Sequence, residues 1–155
     1  MEGTAESFVF EREIAIAASP ETVWEFLVDP EKATRWMGQA ATFDLRTGGL
    51  YRVDVIPGST VRGEFVEIDP PRRLVLTWGW EVGSGSPVLP GATTVEFELV
   101  SSGEGTTLRL NHRELPSGEA AASHALGWGH YLERLAAVAA GGDPGPDPWI
   151  AGGME

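Results

Sequence analysis

From Phe8 to Ile16 apolar and polar side chains alternate: Phe8, Phe10, Ile14 and Ile16 fall on one side, Val9, Glu11 and Glu13 on the other. That is the period of a strand with one face in a core, and Arg12 is the single charged residue on its apolar side. The pattern turns helical in ASPETVWEFLVDP, where Val23, Trp24, Phe26 and Leu27 form the apolar stripe. Ser19 stands where an N-cap is needed, Pro20 at the first helical position and Glu21 in the first turn, while Asp29 and Pro30 end the helix. PEKATRWMG then reads as a second short helix, opened by Pro30 and closed by Gly38.

From residue 40 the period returns to two. ATFDL, LYRVDVIP, STVRGEFVEID, RRLVLTWGWE, TTVEFELVSS and TTLRLNHREL predict six strands, separated by TGG, PGS, DPPR, GSGSPVLPG and SGEG. Connections this short make the strands antiparallel neighbours. GSGSPVLPG is the longest and richest in Gly and Pro, which predicts a mobile element at the mouth of any cavity. In the fourth of these strands Leu74, Leu76, Trp78 and Trp80 alternate with Val75, Thr77 and Gly79, so four large side chains share one face. Either that face fills an ordinary core or it walls a cavity.

A long helix follows from about Ser117 to Ala140. His124, Trp128, Tyr131, Leu135 and Val138, with Leu132, make its apolar stripe, while His130, Glu133 and Arg134 fall on the other side, where His130 is expected to face solvent. Gly127 and Gly129 each lower helix propensity by roughly 1 kcal/mol relative to Ala, and they let the helix approach the sheet or kink. The tail 141–155, GGDPGPDPWIAGGME, is too rich in Gly and Pro to be regular, with Trp149 and Ile150 available to dock it back. The 155 residues thus predict one domain, 1–155, with a core over about 8–140.

The formal net charge of −12, without a Lys/Arg cluster, argues against nucleic acid and anionic membranes as partners. No cysteine is present, which removes disulfides, thiolate metal sites and a Cys nucleophile. Neither a basic apolar leader nor a run of about 18 apolar residues occurs, so no membrane insertion is expected and the reading is cytoplasmic.

VWEFLVDPEKATRWMG, FDLRTGGLYRVDV, RGEFVEIDPPRRLVLTW, TTLRLNHRELP and GWGHYLERLAAV, in this order over residues 8–138, resemble the SRPBCC (START-like) superfamily. Within it the chain is similar to bacterial proteins related to the C-terminal domain of the activator of the heat-shock protein 90 ATPase. The resemblance implies an α+β helix-grip fold, in which a curved antiparallel sheet of about six or seven strands wraps a long C-terminal helix with a cavity between them. It implies no single activity, because such proteins bind lipids, steroids, hormones or polyketides, and some are cyclases or dehydratases.

On that fold Trp78 and Trp80 face Trp128 and Tyr131, with Tyr51, Val53, Phe65 and Phe97 on neighbouring strands. They either pack the interior or line a site for a small hydrophobic or aromatic molecule. His112 and His124, with Tyr131, are the candidates for acid/base chemistry, and each histidine is otherwise a satisfied structural one. Arg12 and Glu67 lie near an apolar face, so they pair, reach the rim or are turned out by a bulge. Three histidines without HxH or HExxH spacing give no metal motif, and no cofactor is expected. The leading expectation is a ligand-binding protein. The alternatives are a cofactor-free cyclase, dehydratase or isomerase, and a domain that stimulates a chaperone ATPase. The strand SFVFERE, if at an edge, leaves monomer and homodimer both open.

Overall fold

The computed structural model describes residues 8–83, 86 and 88–152. Seven strands form one antiparallel sheet: β1 (Phe8–Ile16), β2 (Ala40–Phe43), β3 (Leu50–Ile56), β4 (Ser59–Asp69), β5 (Arg73–Trp78), β6 (Thr93–Ser102) and β7 (Gly105–Leu115), in the order β1-β7-β6-β5-β4-β3-β2. Between β1 and β2 lie α1 (Pro20–Val28) and α2 (Pro30–Ala33), and β7 leads into the long helix α3 (Gly118–Ala139). The sheet curves around α3, the helix-grip arrangement. No described helix is long and apolar enough to cross a membrane.

Local chemistry places the elements. Ser19 caps α1 by accepting from the Thr22 N–H, Asp29 caps α2 by accepting from Glu31, and Ser117 caps α3 by accepting from Ala120. Gly38 takes a φ of +89° as the chain turns into β2, a conformation that favours glycine. Trp36 donates its indole N–H to the Phe26 carbonyl at 2.8 Å and so ties the turn after α2 to α1. Leu76, Leu108, Leu110, Val95 and Phe65 on the sheet and Leu132 and Leu135 on α3 are buried in one continuous core.

The two charged residues near the apolar face find different solutions. Arg12 crosses from β1 to Glu133 of α3 at 3.7 Å. Glu67 is turned outward, because the register between β4 and β5 shifts between Phe65 and Glu67, and it pairs there with Arg73 at 3.3 Å.

Three expectations need correction. The strand read through Glu81 ends at Trp78; Trp80 is held instead by an isolated bridge to Val61, and the Val88 carbonyl accepts from the Trp80 N–H. The tail is not wholly irregular: α4 (Pro148–Gly152) forms because Asp147 accepts from the Trp149 N–H and Pro148 opens the turn. His130 does not face open solvent, since the ring of Trp149 stacks on it at 3.8 Å. Residues 84, 85 and 87 of GSGSPVLPG, a third of the segment expected to be mobile, lie outside the described residues.

Candidate functional site

Where α3 crosses the sheet, Trp78 is surrounded by aromatic rings. Its centroid lies 4.9 Å from Trp128, 5.9 Å from Trp80, 6.2 Å from Tyr51 and 5.7 Å from His112. Phe97 packs edge-on against Trp128, and Tyr51 packs against Phe65 and Phe43. Offset and edge-to-face pairs of this kind add to the burial of the rings themselves.

Beside this cluster a cavity of about 80 Å³ remains between sheet and helix. Trp78, Trp80, Trp128, Tyr131, Met37 and Val55 give it apolar walls, His124 and Gly127 border it from α3, and Ser59, Ser86 and Ser123 line it with hydroxyls. Five of the ten residues expected to contact a ligand thus come together here: Trp78, Trp80, His124, Trp128 and Tyr131. The other five, Tyr51, Val53, Phe65, Phe97 and His112, are buried beside the cavity rather than on its wall.

The polar groups inside are almost fully satisfied, and their bonds fix the protonation of both histidines. An indole N–H can only donate, so Trp128, 3.0 Å from His112 Nδ1, makes that nitrogen an acceptor. The proton of the neutral ring then sits on Nε2 and is donated to Thr93 Oγ1 at 2.8 Å, and the Thr93 hydroxyl donates to the Trp78 carbonyl at 2.8 Å. One chain of hydrogen bonds therefore runs from α3 through β7 and β6 to β5. In the same way Trp80 donates to His124 Nε2 at 3.1 Å, leaving the proton on Nδ1, which donates to the Ala120 carbonyl at 2.8 Å.

Burial lowers the pKa of both rings. His112 is brought down to about 3, with its neighbour His124 adding to the effect. His124 is lowered by burial against the opposing hydrogen bond to Ala120. Neither ring has a free nitrogen with which to take or give a proton. The hydroxyl of Tyr131 is committed as well: it donates to Asp147 Oδ2 at 2.9 Å, and burial followed by that carboxylate raises its pKa. One donor in the cluster stands apart, because the Trp78 indole N–H has no hydrogen-bond partner among the described residues.

Met37, Val55, Ser59, Ser86, Ser123 and Gly127 were not anticipated from the sequence. Val55 carried a signal, since it continues the alternation of Tyr51 and Val53; Gly127, at helical spacing from His124 and Tyr131, carried another. The serines come from the first residue of β4, a loop and the exposed side of α3, where no period marks them. Among the described residues no three His, Cys, Asp or Glu side chains gather to hold a metal.

Residues 17–140 match the family described as Activator of Hsp90 ATPase homolog 1-like protein. The solution structure of an AHSA1-like protein from Rhizobium etli is 49% identical, with 96% of this chain and 92% of that one covered and a TM-score of 0.77. CalU16 from Micromonospora echinospora is 29% identical over 97% of this chain and 74% of its own, with a TM-score of 0.74. The Hsp90 activator PFC0360w from Plasmodium falciparum is 26% identical over 82% of this chain and 92% of its own, with a TM-score of 0.68. Among curated proteins none matches the chain.

Proposed function

The chain belongs to the Activator of Hsp90 ATPase homolog 1-like family, and from that premise we propose that it binds a small, neutral, apolar or aromatic molecule between the sheet and α3. The observation that carries this reading is the unfilled cavity at Gly127. A Cβ added there would meet nothing within 4 Å, yet the helix keeps a glycine at a position where alanine would contribute roughly 1 kcal/mol. Space bordered by four tryptophan or tyrosine rings is thus left open where a methyl group would fit.

The walls define the ligand class. Among the described residues no carboxylate, lysine or arginine lines the cavity, so a charged group would be desolvated without a partner. Three serines supply hydroxyls, and the buried Trp78 N–H has no acceptor among the described residues. Size limits the occupant: a volume of 80 Å³ equals two or three waters at about 30 Å³ each, and a dry cavity near 150 Å³ is what benzene fills. A single ring therefore enters only as a wall gives way. Met37, unbranched and adaptable, is the wall suited to move. Binding then follows from burial of apolar area, at roughly 25 cal/mol per Å², less the cost of ordering.

Acid/base catalysis has less support, because His112, His124 and Tyr131 all have their polar atoms engaged. The likeness to the Plasmodium falciparum Hsp90 activator favours stimulation of a chaperone ATPase as the second reading.

Native mass spectrometry of the purified protein, followed by extraction under denaturing conditions, tests the first reading. A stoichiometric neutral aromatic or apolar molecule is expected. An empty protein that raises the ATPase rate of an Hsp90-type chaperone would replace it with the second.

A further inference from the structure

Eleven lysines and arginines face a surplus of acidic groups, and nine of them have a carboxylate oxygen within 4.0 Å. The two that have none among the described residues are Arg35 and Arg134. Both line the same groove, a volume of about 620 Å³ enclosed by the turn after α2, the second half of α3 and the tail. In a chain of net charge −12, two cations that converge on one concave surface with no carboxylate partner among the described residues call for an explanation.

Arg134 is half-buried and meets only neutral oxygens. Its Nε donates to the Trp36 carbonyl at 3.2 Å, Nη1 to the Pro144 carbonyl at 3.4 Å and Nη2 to the Gly145 carbonyl at 2.9 Å. A guanidinium has five N–H groups, so two remain. The Trp36 contact brings this head next to Arg35, whose exposed side chain has no partner among the described residues.

The groove's own carboxylates are directed elsewhere. Asp147 is buried and takes its bonds from Tyr131, His130 and the Trp149 N–H. Asp143 accepts from the Gly145 N–H at 2.8 Å. Neither forms an ion pair with either arginine.

We propose that this groove is an anion-binding site, separate from the cavity under α3, which takes the carboxylate or phosphate group of a small organic molecule. The guanidinium of Arg35 meets the anion directly, and Arg134, fixed by three carbonyls, presents its remaining N–H groups without further ordering. Val138 and Ile150 on the same wall accept the apolar part of the molecule. A groove of this volume is within the range of ordinary small-molecule sites.

The test uses the full chain, labelled with ¹⁵N and titrated with benzoate, phenyl phosphate and neutral benzamide at low ionic strength. At least one of the two anions is expected to shift the backbone amides of Arg35, Gly38 and Gly145 saturably, while benzamide does not. Whichever anion binds identifies the head group. Arg35→Gln, at an exposed position the fold does not use, should weaken that binding about tenfold or more, Arg35→Lys should restore part of it, and added salt should weaken it. Gly127→Leu, which blocks the other cavity, should leave it unchanged. Equal shifts with benzamide, no saturable shift with either anion, or full binding by Arg35→Gln would overturn the proposal and leave Arg134 as a staple for the tail.

Discussion

His112 and His124 meet edge to face, their ring centroids 4.8 Å apart and their planes at 83°, and each accepts the indole N–H of a different tryptophan. Protonating either ring would replace an accepted hydrogen bond with two opposed donors. The folded protein therefore holds both neutral, which links its stability to pH.

The sign follows from the lowered pKa values. In the unfolded chain both histidines titrate near the ordinary 6.5, whereas His112 in the fold titrates at about 3 and His124 is also lowered. The contribution of His112 is fully present above pH 6.5 and is lost as pH falls from there toward 3, by up to roughly 1.4 kcal/mol per pH unit, and His124 adds a loss of the same sign. Denaturant unfolding at pH 7, 6, 5 and 4 should show this decline, and His112→Asn should be less stable at pH 7 yet have a shallower slope. A stability that is flat between pH 7 and 5 would contradict the assigned tautomers.

Gly79 lets the connection after β5 fold back onto it. A Cβ there would lie 1.7 Å from the Leu89 carbonyl oxygen, and backbone cannot step aside as a side-chain end can. Gly79→Ala is expected to destabilise by more than about 2 kcal/mol and to disturb the Trp80 pairing with His124, visible as a shift of the Trp80 indole N–H resonance.

The tail is held by one carboxylate. Burial pushes the Asp147 pKa up, but the hydrogen bonds from Trp149, His130 and Tyr131 outweigh it and hold the group below the usual carboxylate range. The docked tail is thus stable above that range and releases only as pH falls through the lowered value. Asp147→Asn loses acceptor capacity and should weaken docking by about 1–3 kcal/mol, read as faster proteolysis after Gly141 and red-shifted Trp149 emission.

Gly127→Ala should raise the melting temperature by about 2–4 °C, since open space surrounds the added methyl and the helix gains propensity. Gly129→Ala should gain less, because its methyl would meet Arg12 Nη1 at 3.1 Å and disturb the pair with Glu133. Thermal unfolding of the two variants separates the cases.

Alternation and turn residues marked all seven strands and the cap at Ser19, because each of these is written in neighbouring residues, whereas the facing of Trp78 and Trp128 came only with the family resemblance and the cap at Ser117 went unread. The Trp128, His112, Thr93 and Trp78 chain was not legible. Thr93 reads as an ordinary strand residue, and its role depends on three other elements arriving at hydrogen-bond distance. His130 was misread for the same reason: its helical phase points away from the sheet, and only the tertiary return of the tail covers it. The cavity's extent was equally hidden, since alternation says which rings share a face but not how completely they fill it.

The most direct test of the ligand reading is a titration of the protein with neutral aromatics of increasing size, from benzene to naphthalene, followed through the indole N–H resonances of Trp78, Trp80 and Trp128. The account predicts saturable shifts in the native chain, with binding at least about tenfold weaker in Gly127→Leu. Absence of saturable shifts at all three indoles, or equal binding by Gly127→Leu, would contradict it.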